Sequence, residues 1–168
     1  MNVRESEIRD PLGYDVFEPT VEVELNGVGA FKSLGAKGAK PVVVMHFREK
    51  ALAETRRLVA NYDRHPRGED DYRFWFYGTG CGLRLRRKAT QLDVVVDVDL
   101  GMGPADNVAQ GVHHAGQTTV RSWVEAIVAF SNELSERFRR LNPKAFTDFK
   151  SQELFIQELE SWLIAHDS

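Results

Sequence analysis

The run from Tyr72 to Leu100 leaves this chain the least conformational choice. Tyr72-Arg-Phe-Trp-Phe-Tyr77 is almost wholly aromatic, and Gly78-Thr-Gly80 breaks it. Leu83-Arg-Leu-Arg-Arg-Lys88 alternates, as does Leu92-Asp-Val-Val-Val-Asp-Val-Asp-Leu100. Alternation with a period of two, bounded by turn residues, marks half-buried strands. Three consecutive antiparallel strands follow from it. Val94, Val96, Val98 and Leu100 share one face of the third strand, and Asp93, Val95, Asp97 and Asp99 share the other. Leu83 and Leu85 oppose Arg84, Arg86 and Lys88 in the same way. A turn over Ala89–Leu92 sets Lys88 against Asp93, Arg84 against Asp97, and Leu85 beside Val94 and Val96. A slip of one residue would exchange the faces and set leucines against aspartates. The charged face reads either as a solvated exterior or as a surface that docks a partner.

The flanking segments supply the rest of an α+β domain. Met1–Pro19 reads as an N-terminal arm. Thr20–Leu25 alternates and runs through Asn26-Gly27 into Val28–Phe31, a hairpin signal because both central residues of a type I′ turn need positive φ. The glycine-rich, basic Leu34–Lys40 lacks phosphate-loop spacing and reads as a surface loop. Pro41–Phe47 is continuously apolar and reads as a covered strand holding a packed His46. Ala51, Leu52, Thr55, Leu58, Val59 and Tyr62 form a helical stripe over Glu49–Tyr62. Residues 101–117 read as a long loop. A helix capped by Thr118 or Thr119 runs to Leu141, and a last helix spans roughly Asp148–His166. The order β-β-β-α-β-β-β-α-α predicts one mostly antiparallel sheet of about six strands, packed against C-terminal helices on one face. The length of 168 residues fits a single domain.

The candidates for chemistry are few. Arg73, Trp75, Arg84, Arg86, Asp97 and Asp99 belong to the outer sheet face and are the candidate partner-binding residues. Asp106, His113 and His114 sit in the 101–117 segment, where a loop could turn both histidines toward one ligand. They show no zinc-type spacing, so no metal is expected. Cys81 stands between two glycines and reads as a small strand residue rather than a nucleophile; Gly-Thr-Gly-Cys-Gly also misses the dinucleotide fingerprint. Asp93, Asp97 and Asp99 could in principle form a two-metal site, but the neighbouring strand offers arginines to neutralise them and no Glu-x-Lys partner follows. No cofactor is expected, and the reading leans away from an enzyme. The aromatic strand could stack single-stranded nucleic acid, but a net charge of -3 argues against a polyanion partner. A single cysteine suits a reducing cytoplasm. The N-terminus shows no signal-peptide core, and no apolar run approaches the ~20 residues that span a bilayer.

The order of hairpin, helix, Val/Asp-alternating meander and amphipathic helix over roughly Val21–Arg140 resembles small bacterial immunity proteins of the polymorphic-toxin class, including the WapI type. The 101–117 loop and the helix after Pro143 depart from that pattern. The resemblance implies a non-catalytic inhibitor that binds a toxin or another protein partner and blocks it. The alternative is a small enzyme or ligand-binding protein with its site at the 101–117 loop.

Overall fold

The computed structural model describes residues 2–6, 20–25, 28–29, 44–76, 81–98, 111–141 and 150–167. The strands are β1 (Asn2–Ser6), β2 (Thr20–Leu25), β3 (Val28–Gly29), β4 (Glu69–Phe76), β5 (Cys81–Lys88), β6 (Gln91–Val98) and β7 (Gly111–Thr119). The helices are α1 (Val44–Arg64), α2 (Val120–Leu141) and α3 (Lys150–Ala165). The α+β class holds, and every strand pairing is antiparallel. A single sheet of about six strands is not seen among the described residues. The strands divide between a three-stranded sheet, β1-β2-β3, and a four-stranded sheet, β4-β5-β6-β7.

Three expectations need correction. Part of the N-terminal arm is β1, which pairs Val3 with Val23. Part of the 101–117 loop is β7, which completes the larger sheet. Neither segment carries an apolar alternation, so pairing partners distant in sequence set the conformation and local propensity does not. The apolar run ending at Phe47 is no strand from Val44 onward but the first turn of α1. Phe47 lies one helical turn before Ala51 and extends the buried stripe of Leu52, Thr55, Leu58 and Val59. A short apolar run cannot by periodicity alone be told from a buried helix segment.

The meander forms with its faces as expected but with a register shifted by two residues. Lys88 stands opposite Gln91, Arg86 opposite Asp93 and Leu85 opposite Val94. The connection is Ala89-Thr90, with Ala89 at φ 51°. A tight two-residue turn needs such a conformation, and glycine or asparagine usually supplies it. Here the surroundings hold an alanine there. Ala89 N–H donates to Gly68 O at 3.0 Å, Arg87 Nη1 donates to Ala89 O at 3.2 Å, and Val120 N–H donates to Thr90 O at 2.9 Å. Because both loop lengths are even, Leu83, Leu85, Val94 and Val96 stay on one face.

That inner face meets the helices. Tyr72, Phe74 and Phe76 of β4, Leu83 and Leu85 of β5, and Leu92, Val94 and Val96 of β6 join one core with Phe47, Leu52, Trp123, Ile127, Ile156 and Leu159. The smaller sheet closes on the larger where β2 crosses β7. A Cβ at Gly116 would lie 2.9 Å from Leu25 Cβ, so the approach needs glycine. Thr119 caps α2 as expected: its Oγ1 accepts the Ser122 N–H at 3.1 Å.

Two arginines are buried in this interior. Arg87 lies on the apolar face of β5, where Nε donates to Asp70 Oδ2 at 2.8 Å and Nη2 to His65 O at 3.0 Å. Arg48 joins the three helices: Nη1 donates to Gln152 Oε1 at 3.0 Å and Nη2 to Glu153 Oε1 at 2.9 Å, with Ser135 Oγ also in contact. Burial pulls the Arg48 guanidinium below its usual range, and Glu153 opposes that pull. Glu153→Ala leaves this charge without its carboxylate. The expected loss is about 2–3 kcal/mol, read as a lower urea midpoint with an unchanged slope.

Candidate interaction face

The alternation that sends Tyr72, Phe74 and Phe76 inward sends Asp71, Arg73 and Trp75 outward. Beside them on β5 stand Gly82, Arg84 and Arg86, and on β6 Asp93, Val95 and Asp97. Five of the six partner-binding candidates therefore share one face: Arg73, Trp75, Arg84, Arg86 and Asp97. The sixth, Asp99, lies outside the described residues, as does Asp106.

Two carboxylates on this face have hydrogen-bond donors beside them. Arg84 Nε donates to both oxygens of Asp71, at 2.8 and 2.7 Å. These hydrogen bonds hold the Asp71 carboxyl below the usual carboxylate range; slight burial opposes them, and the charges of Arg84, Arg86 and Arg73 add. The same pairing, reinforced by the charges of Asp71 and Asp97 against a little burial, pushes the Arg84 guanidinium above its usual range. Gln117 Nε2 donates to Asp93 Oδ1 at 2.7 Å. The two-residue slip undoes the expected Lys88–Asp93 and Arg84–Asp97 oppositions. Arg84 faces Val95, and Gly82 faces Asp97.

Asp71 is not among the sequence candidates, because it lies just outside the run that begins at Tyr72, whereas β4 begins at Glu69. The signal was present in Asp71-Tyr-Arg-Phe, which extends the alternation one step back. Trp75 lies over Gly82: a Cβ there would meet Trp75 Cε3 at 2.5 Å and Phe74 O at 2.9 Å. Arg73 has 60% of its side chain exposed, and its Nε sits 3.2 Å from Asp97 Oδ2. Val95 is only 2% exposed yet stands apart from the main core, so this face has a covered patch of its own.

Of the other candidates, His113, His114 and Cys81 fall on strands. His113 and His114 are strand positions of β7, registered against Val96 and Val95, which belong to opposite faces. The segment that holds both histidines, expected as part of a loop, is strand in the structure. Cys81 opens β5, opposite Phe76 and Val98. Among the described residues there is no group of three or more His, Cys, Asp or Glu able to hold a metal ion. No described helix is long and apolar enough to cross a membrane.

A cleft of about 330 Å³ opens at the end of α3, lined by Tyr62, Thr90, Arg121, Trp162 and His166 among others. Sequence reading passed over it. His166 stacks on Trp162 with ring centroids 4.2 Å apart. Its Nε2 is 3.1 Å from Asp63 Oδ1 and its Nδ1 is 2.9 Å from Trp162 O. Both nitrogens thus face oxygens, and neither turns an open lone pair to the cleft. Trp162 Nε1 donates to the same Asp63 oxygen at 2.9 Å, so the group fastens the C-terminus of α3 to the end of α1. No protein-family model, curated protein or solved structure matches the chain.

Proposed function

We propose that this chain is a non-catalytic protein-binding domain that docks its partner on the outer face of β4, β5 and β6. Blocking a toxin or another protein, as an immunity or inhibitor protein does, is the mode such a face suits. One observation carries the reading: Arg73, Trp75, Arg84, Arg86 and Asp97 converge on the sheet face that the helical core does not use. Arginine and tryptophan are the residue types that most often dominate binding energy at interfaces. Burial of the aromatic anchor inside a ring of charges excludes water and fixes orientation, while the charges steer the approach. The single cysteine is compatible with action in a reducing cytoplasm.

Affinity capture from a host lysate, compared across variants, tests this. Trp75→Ala and Arg86→Glu should each lower recovery of the bound partner at least tenfold while the protein still unfolds cooperatively. Arg86 is exposed, so its reversal costs at most ~1 kcal/mol in cross-strand charge pairing. Equal recovery of the same species on the wild type and both variants would refute the reading.

A further inference from the structure

Asp97 differs from Asp71 and Asp93 on the same face, whose carboxylates accept hydrogen bonds from Arg84 and Gln117. Only 9% of its side chain is exposed, and neither carboxylate oxygen accepts a hydrogen bond. Its ion-pair contact, Arg73 Nε at 3.2 Å, is not aligned as a hydrogen bond. The nearby Arg84 turns its Nε and Nη2 to Asp71. A buried carboxylate without donors costs stability, and such a group in a native fold calls for an explanation. Residues that lower stability with no compensating contact concentrate where a chain works.

Resting on the docking reading above, we infer that Asp97 is the seat for an arginine side chain of the partner protein, gripped by both carboxylate oxygens and laid against Trp75. Two empty acceptors side by side match the planar, paired donors of a guanidinium better than the point charge of an ammonium. Gly82, the register partner of Asp97, is the position over which the Trp75 ring lies, so an aromatic surface stands next to the carboxylate. A guanidinium there gains a cation–π contact as well as the ion pair. Arg73, largely exposed and held by that one contact, swings aside to admit it.

The test has two arms on the full-length protein. In the first, thermal unfolding is measured for Asp97→Asn. Removal of an unsatisfied buried charge raises Tm by about 2–4 °C. A Tm that falls instead means Asp97 and Arg73 form a structural pair, which overturns the inference. In the second, amide and indole resonances are followed during titration with N-acetylarginine amide, its neutral citrulline analogue, or inorganic phosphate. Saturable shifts at Trp75 and Gly82 with the arginine compound alone, lost in Asp97→Asn and enhanced in Arg73→Gln, support the seat. No saturable shift, equal shifts with citrulline, or shifts with phosphate alone overturn it. If Asp97→Asn captures the partner as well as wild type does while Trp75→Ala does not, the seat is wrong and the docking face stands. If neither variant changes capture, both fall.

Discussion

Val96→Asp leaves the protein without a cooperative unfolding transition. Val96 is 1% exposed and sits in the centre of the inner face, directly opposite Leu83 in β5. Its neighbours in space are the aliphatic and aromatic side chains of the core that joins the sheet to the helices. A carboxylate placed there has no donor to meet it. An uncompensated buried charge costs several kcal/mol even after relaxation. The valine contacts are lost as well, at ~1.5–3 kcal/mol for full burial. Together these approach the ~5–15 kcal/mol that holds a typical domain folded. Near-ultraviolet circular dichroism during heating reads the outcome: a flat, featureless trace for Val96→Asp, and a sharp but earlier transition for Val96→Ala. A wild-type melt for Val96→Asp would place Val96 outside the core.

Trp123→Ala is expected to cost ~3–5 kcal/mol. Trp123 is fully buried in α2 at the meeting of the helices and the sheet. Its indole N–H donates to Thr55 Oγ1 in α1 at 2.9 Å, a bond between two buried groups. Truncation therefore opens a cavity and also strips the Thr55 hydroxyl of a partner. For a chain of this size the loss corresponds to a Tm lowered by roughly 10 °C or more. Trp123→Phe keeps most of the volume and loses only the hydrogen bond, so its Tm should fall between the two. Chemical denaturation at several temperatures checks the ranking, and equal stability for all three proteins would contradict the packing described.

The parts of the fold that could be read from the chain are those whose residues carry the pattern themselves. β5 and β6 alternate except at Arg87 and Val95, and the inner and outer faces of β4, β5 and β6 are as the alternation demands. Asn26-Gly27 marks the β2–β3 pairing, which the structure forms with Leu25 opposite Val28. What could not be read depended on distant partners. β7 contains three threonine and glutamine residues at its end and two glycines, a poor strand by propensity, and exists because β6 pairs with it. The Ala89-Thr90 turn lacks the usual turn residues, and it is held by Gly68 and Val120 from other segments and by Arg87 of the strand that leads into it. Hence the faces were legible and the register was not.

The candidate face divides in the same way. Alternation alone sufficed to bring Arg73, Trp75, Arg84, Arg86 and Asp97 to one side. It could not show that Arg84 turns to Asp71, that Asp97 is buried without a hydrogen-bond donor, or that Trp75 lies on Gly82. Those depend on which rotamers fit together once three strands are side by side. Nor does the pattern reveal buried arginines. Arg48 and Arg87 look like ordinary surface charges in sequence, and each becomes tolerable inside only because carbonyls and carboxylates of separate elements converge on it.

The central claim is that the outer face of the larger sheet, and not the helical side, is where a partner sits. Site-specific photocrosslinking puts it to the most direct test. A benzophenone side chain replaces Trp75 on the sheet face, or Ile164, an exposed apolar residue of α3. Each protein is irradiated in host lysate. A discrete adduct from position 75 and none from position 164 is the expected result. An adduct of that kind from position 164 alone would contradict the claim and move the docking surface to the helices.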